Sequence, residues 1–419
     1  MTAPTRFSIP CLSLALLALA SCSILGLREQ VGKLEAQGVI AARVTPLPQP
    51  GVTTWVAALT EDASGRRETI GLQQVRPDGL AAIQLLADRT YDLAAFTDRN
   101  GNRRYDPGEP CAKLRQVRPL PLAGTSGRSV PLALTLRAGR ADAPSVSIEV
   151  PPENKVLGRG LDLAVGEVAA LDDPRFAAEA GGSGLWKSFD FLAENKIGLY
   201  FTEPYDPKRV PVVFVYGIGG SPQDWKWMLE HFPRQHHQLW FFHYPSGMRL
   251  ERVGDTLAGT LGLAASRHGF RECHIVAHSM GGLVSRAAIN ELAARHPELR
   301  VPRFVSVSTP WGGHSAAEAG VRHMKKPVPS WIDMNPGSEF LTQIYLLPLP
   351  SGTRHTLVYG RKSSRLPWMK GDNDGTVEVA SQIDPRATAG AVQVTELPYE
   401  HVEILSQPKT LALIRAGLR

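Results

Sequence analysis

Ala277-His278-Ser279-Met280-Gly281-Gly282 is the stretch from which the rest of this chain is read. It follows a short apolar strand pattern, Ile275 and Val276, and opens a helical pattern with Leu283, Val284, Ala287, Ala288 and Leu292 on one side. A serine between a strand and a helix sits on a sharp bend, and such a bend holds its backbone in a strained conformation. Bulky side chains two positions away would collide across it. Ala277 and Gly281 are small enough to avoid that collision.

Outward from this stretch, strand and helix patterns alternate. Val212–Tyr216 is a continuous apolar strand and Pro222–Phe232 a helical stretch; Leu239–Phe242 is a second strand and Leu250–Arg267 a second helix. Phe304–Ser308, Thr356–Tyr359 and Val392–Val394 read as further strands, and Ile404–Leu418 as a closing helix. Such alternation predicts an α/β domain over 195–419, a doubly wound, mostly parallel sheet covered on both faces. Residues 51–150 have a different texture. Short runs such as Thr53–Leu59 and Thr90–Phe96 are separated by Gly, Asp and Pro turns, with one possible helix near Ala81–Ala87, which predicts a small all-β sandwich. Residues 22–50 read as a tether ending in Pro46, Pro48 and Pro50, and 151–194 as a linker and lead-in segment.

The hexapeptide resembles the nucleophile elbow of bacterial lipases and esterases of the α/β-hydrolase fold, with Ala277 where the general motif has glycine. That resemblance implies a triad in the order Ser, Asp or Glu, His. Ser279 is then the nucleophile. His401, the histidine that follows the best acid position, lies in Pro398-Tyr399-Glu400-His401-Val402 after the last strand and is the expected base. The expected acid is Asp374 in Gly371-Asp372-Asn373-Asp374-Gly375-Thr376-Val377, with Asp372 and Glu378 as alternatives. The oxyanion hole is expected from the N–H of Met280, at a helix N-terminus, and by the same resemblance from Ile218 in Tyr216-Gly217-Ile218-Gly219-Gly220. Tyr216 replaces the histidine that related lipases carry there; that histidine supports the loop rather than doing chemistry, so the change bears on the loop's hydrogen bonding and the geometry of the hole. No Lys-Ser/Thr follows these glycines, which excludes a Walker loop. His278 adjoins the nucleophile, but adjacent side chains diverge on a turn, so a structural role is expected of it. Thr309–His314 resembles a lipase loop lining the pocket, and the apolar stretch 315–350 reads as a lid or acyl-binding cap, or as simple packing over the sheet.

Phe96–Asn102 together with Asp106–Pro110 resembles the prealbumin-like accessory domains of bacterial surface proteins. Asp98, Asn100, Asn102, the carbonyl of Arg104, Asp106 and Glu109 also follow calcium-loop spacing, although Arg103 stands where glycine belongs; a structural calcium ion and a merely polar turn are both open. No other cofactor is expected, and neither HExxH nor paired cysteines point to zinc.

The chain opens with Arg6, a short apolar run Leu12–Ala20 and Leu19-Ala20-Ser21-Cys22. This matches the lipobox of bacterial lipoproteins and implies a signal peptide over 1–21, lipidation of Cys22 and attachment to the cell envelope; Ser23 leans toward the outer membrane. An ordinary secretory signal is the alternative. Cys111 and Cys273 fall in different domains and are expected as free thiols. A formal charge of +6, scattered along 419 residues, leaves no nucleic-acid footprint. Together these features imply an enzyme acting on carboxylic esters, small or lipid, at the cell envelope. A thioesterase or amidase with the same machinery is the alternative within enzymes, and a hydrolase-like surface binding protein the alternative outside them.

Overall fold

The computed structural model describes residues 26–61, 67–102, 104–121, 132–137, 163–195, 197–362, 369 and 371–419. The lipobox and Cys22 lie outside these residues. Helix α1 spans 26–36 and runs directly into β1 (Gln37–Thr45). Leu27, Val31 and Leu34, spaced four and three residues apart, are all buried, and the first two pack against Val328. The Gln30 amide donates to the Asp190 carboxylate at 2.7 Å. The stretch read as a tether is therefore folded from residue 26 onward. Its apolar positions are few, and their partners are distant in the chain, so local pattern alone did not reveal them.

β1 belongs to the sandwich, which also holds β2 (Thr53–Glu61), β3 (Arg67–Gln74), β4 (Leu80–Leu86), β5 (Tyr91–Asp98), β6 (Cys111–Val117), β7 (Leu120–Pro121) and β8 (Leu132–Thr135). One sheet runs β4-β1-β7 with β8 paired in parallel to β1; the other runs β3-β2-β5-β6. Their shared core holds Ile40, Ala42, Val44, Val56, Ala58, Ile83, Leu93 and Ala95. The stretch near Ala81–Ala87, open to a helical reading, is strand β4: Ala81, Ile83 and Leu85 are buried on a period of two, and only a strand places alternate residues on one face.

The second sheet contains β9 (Ala164–Val168), β10 (Gly198–Phe201), β11 (Val210–Val215), β12 (His237–His243), β13 (Glu272–His278), β14 (Arg300–Val307), β15 (Arg354–Gly360) and β16 (Ala391–Leu397), in the order β16-β15-β14-β13-β11-β12-β10-β9. Neighbours are parallel except β10 against β12. β9 lies in what was read as the lead-in, so the sheet begins about thirty residues before 195. Val212, Val213, Phe214 and Val215 are all fully buried; consecutive strand residues point to opposite faces, so both faces of the sheet are covered here.

The helices are α2 (Ala178–Trp186), α3 (Ser188–Glu194), α4 (Lys226–His231), α5 (Leu250–His268), α6 (Met280–Arg295), α7 (Ser315–His323), α8 (Pro329–Met334), α9 (Glu339–Gln343), α10 (Val379–Gln382), α11 (Pro385–Thr388) and α12 (Pro408–Gly417). α5 ends where Gly269 takes a left-handed conformation (φ 79°) and donates its N–H to Ala265 at 2.7 Å. From β11 the chain turns to β12 on one side, then crosses through α5 to β13 on the other. The carboxyl ends of β11 and β13 thus diverge at a switch point, where a parallel sheet opens a crevice. Residues 315–350 hold α7, α8 and α9. Met334, Phe340, Leu341 and Ile344 are buried in the main core, while Leu346 and Leu347 are exposed.

Four buried histidines give the fold a pH dependence. Burial, as the largest cause, lowers His243, His278 and His355 to about 3 and His274 to about 4, against an ordinary 6.5. These groups stay neutral in the folded state and take up protons on unfolding once the pH falls below 6.5. Burial raises Asp255 and Asp333 to about 6, so these two release protons on unfolding between pH 6 and their ordinary 3.8. Burial also lowers His237, His268 and His314 and raises Asp224. Uptake by the histidines outweighs release by the carboxyls, so stability should fall as the pH drops from 6 to 4. Urea unfolding midpoints measured across that range check this; a flat profile would contradict it.

Candidate active site

β13 ends at His278, and α6 begins at Met280, leaving Ser279 alone on the bend. Its φ of 53° is a conformation that side chains other than glycine rarely adopt, and three contacts hold it there. The Ser279 N–H donates to Val307 of β14 at 2.8 Å, and the Ser279 carbonyl accepts from Gly282 at 2.9 Å. Gly217, at the end of β11, lies so close that a Cβ on it would come within 2.7 Å of the Ser279 Cβ. Ala277 is an ordinary strand residue paired with Val215 and Ser306, so its methyl group meets no conflict at the bend.

His401 reaches this serine from the loop after β16. Its Nε2 lies 2.9 Å from the Ser279 Oγ, and its Nδ1 lies 2.7 Å from the Asp374 Oδ2. The Asp374 carboxylate is fully buried, and its second oxygen accepts from the N–H groups of Val377 (2.7 Å) and Thr376 (3.0 Å). Burial pushes this carboxyl upward. The His401 hydrogen bond and charge, followed by the two N–H groups, outweigh burial and hold it below its ordinary 3.8. It is therefore ionised at neutral pH and orients His401 with Nδ1 protonated and Nε2 free to accept. The alternatives are placed elsewhere: Asp372 is exposed and pairs with Arg361 at 3.1 Å, and Glu378 stands at the N-cap position of α10 without a side-chain hydrogen bond to it.

His278 does not face the serine. Its Nε2 donates to the backbone carbonyl of His401 at 2.8 Å, and the two rings lie 4.7 Å apart. Burial first, and then the neighbouring His401, lower it to about 3, so it remains neutral and anchors the His401 loop. His314 caps α7, accepting from the Ala316 N–H at 3.1 Å, and burial lowers it as well.

Met280 N–H, in the first turn of α6, has no acceptor among the described residues, as expected of a helix N-terminus. Ile218 N–H, in the loop after β11, likewise has none. Both flank Ser279, one through the chain and the other through Gly217. Asp374→Asn is expected to leave the fold intact but lower turnover by about 10⁴-fold, because the amide no longer selects the tautomer that leaves Nε2 able to accept. Steady-state assay of the folded variant checks this.

In the sandwich, the Asp98–Glu109 turn is closed upon itself. Glu109 accepts from the N–H groups of Arg99 (2.7 Å) and Asp106 (3.0 Å). Asp98 and Asn100 both accept from Asn102, and the Asn100 and Asn102 amides donate to Asp106 at 2.7 and 2.6 Å. Both Glu109 oxygens are thus engaged with the turn itself. Among the described residues, no group of three or more His, Cys, Asp and Glu side chains is placed to hold a metal ion. Cys111 and Cys273 are buried and not joined in a disulfide.

Residues 208–344 match a family described as "Putative serine esterase (DUF676)". The sheet order, the elbow after β13 and this match agree. The second domain has the α/β-hydrolase fold. Solved structures similar to it include the mature lipase BlEst2 of Bacillus licheniformis, at 20% identity over 52% of this chain and 96% of that one, with a TM-score of 0.42. The lin2722 product of Listeria innocua shows 15% identity over 50% and 94% of the two chains, with a TM-score of 0.39. A carboxylesterase of the ammonia-oxidizing thaumarchaeon Nitrososphaera shows 15% identity over 54% and 95%, with a TM-score of 0.36. No curated protein matches the chain.

Proposed function

We propose that this α/β-hydrolase cleaves carboxylic esters through an acyl-enzyme on Ser279. The observation that carries this is the relay of short contacts from the Ser279 Oγ through His401 to buried Asp374. His401 Nε2 takes the hydroxyl proton as Oγ attacks the ester carbonyl. The carbonyl oxygen becomes an oxyanion that accepts from the Ile218 and Met280 N–H groups, neither of which has another acceptor among the described residues. The tetrahedral intermediate expels the alkoxide, which receives the proton from His401. Water then repeats the sequence on the acyl-enzyme: His401 accepts its proton, and Ser279 leaves with that proton as the free acid departs. Asp374 stays ionised throughout and stabilises the imidazolium that forms in each half. The substrate class is a small-molecule or lipid ester.

A series of p-nitrophenyl esters of rising chain length, assayed beside a thioester and an amide, tests the reading. Esters should be turned over fastest. A preference for the thioester or amide at equal acyl chain would replace it with one of those activities, and no turnover of any would favour a binding protein. The reading extends to the cell envelope: lipidated Cys22 anchors the enzyme there, on the outer membrane. Among the described residues no helix is long and apolar enough to cross a membrane. Cys22→Ser should move the protein from the membrane to the soluble fraction.

A further inference from the structure

The loop after β11 lacks the histidine that resembling lipases carry, and in its place a second loop grips it. We propose that Tyr244 and Ser246, in the loop after β12, are positioning residues that hold the Ile218 N–H in the oxyanion hole. The proposal rests on the reading of Ser279 as an ester-cleaving nucleophile.

Tyr216 and Tyr244 exchange hydrogen bonds in both directions. The Tyr216 hydroxyl donates to the Tyr244 carbonyl and accepts from the Tyr244 N–H at 2.7 Å. The Tyr244 hydroxyl donates back to the Tyr216 carbonyl at 2.6 Å. The rings stack with centroids 4.5 Å apart and planes 10° from parallel, and both residues are 1% exposed. His243 Nδ1 lies 3.3 Å from the Tyr216 hydroxyl. Burial holds both phenols well above their ordinary 10, so each keeps its donor proton at neutral pH.

The second grip lies on the other side of Ile218. Gly219 donates its N–H to the Ser246 Oγ at 2.9 Å, and Ser246 is 1% exposed. Ile218 is thus bracketed. Two residues before it the backbone is fixed through the Tyr216 carbonyl, and one residue after it through the Gly219 N–H. A peptide unit held on both sides has little freedom to rotate, so its N–H keeps its direction. The value of this for catalysis follows from how oxyanion holes work. Donors stabilise the developing charge only if they point to it without reorganising, and a displacement of about 1 Å is worth about 100-fold in rate. Neither residue touches the reacting atoms; each acts through the backbone of the loop.

Tyr244→Phe removes a single donor and keeps the ring stack, and Ser246→Ala removes a single acceptor. In Tyr244→Phe, kcat for a p-nitrophenyl ester should fall about 10- to 100-fold with KM within about twofold. Ser246→Ala should fall in the same direction. The affinity for a trifluoromethyl ketone, which forms an oxyanion adduct, should drop by the same factor as kcat. Hydrogen exchange at the amides of 217–220 should quicken in the full chain. A folded Tyr244→Phe protein with native kcat overturns the proposal, and so does a fall in kcat without matching loss of ketone affinity. If the native chain neither cleaves esters nor reacts with a fluorophosphonate, the esterase reading has failed instead. The exchange measurement then still judges the grip, and unchanged exchange at 217–220 overturns it.

Discussion

Ser279→Ala is expected to lower ester turnover by about 10⁵- to 10⁶-fold while leaving the thermal midpoint almost unchanged. The size follows from the relay. Without Oγ there is no acyl-enzyme, and what remains is substrate binding and a hole that still polarises the carbonyl for attack by water. The stability side follows from the site. Alanine fills the same space at the bend, keeps the backbone contacts to Val307 and Gly282, and loses one side-chain hydrogen bond to His401. His401→Ala should cost a similar amount, and the double variant little more than either alone, because the two groups act as one device. Initial rates, with mass spectrometry to confirm the replaced residue and circular dichroism to confirm folding, decide the matter. Activity within about 100-fold of native in a folded Ser279→Ala protein would refute the assignment.

The second large effect is structural. In Gly281→Ala the added Cβ would press on the Tyr216 carbonyl oxygen and lie 2.6 Å from that of Val215. Both belong to the backbone at the end of β11, the central strand paired with β12 and β13, which has no room to retreat. The clash should cost about 3 kcal/mol, near the upper range for overpacking, and lower the midpoint by about 6–12 °C. Activity should fall as well, because relief of the clash moves the start of α6 and with it the Met280 N–H. Gly259→Ala, on α5 with nothing within 4 Å of its added Cβ, is the matched control. It should stabilise by up to about 1 kcal/mol through helix propensity alone. Calorimetry on the two variants separates them; equal midpoints would show that the bend is looser than described.

Much of this site was legible in the chain. Ser279 is flagged by small neighbours on a strand-to-helix pattern, because steric exclusion at a tight bend leaves a local mark. Asp374 and His401 are legible through their order and their place after late strands, because sheet topology puts such loops at one end. The sheet strands β11 to β16 were legible through apolar runs, with boundaries off by a few residues, whereas β10 was not. Tyr244 and Ser246 left no mark: Tyr244-Pro245-Ser246 is an unremarkable turn, and its partners lie 28 and 27 residues away. α1 and β9 were missed for a related reason, since short segments with few apolar residues become ordered by what they pack against.

By itself, then, the chain determined the alternation of strands and helices, the strained serine and the identity of the groups that meet it. Those are consequences of short-range sterics and of hydrophobic period, which act between near neighbours. Only the folded structure settled the choice among Asp374, Asp372 and Glu378 as the partner of His401, showed that His278 meets the His401 carbonyl, and paired Tyr216 with Tyr244. These depend on distances of a few ångströms between residues far apart in the chain, which no local pattern records.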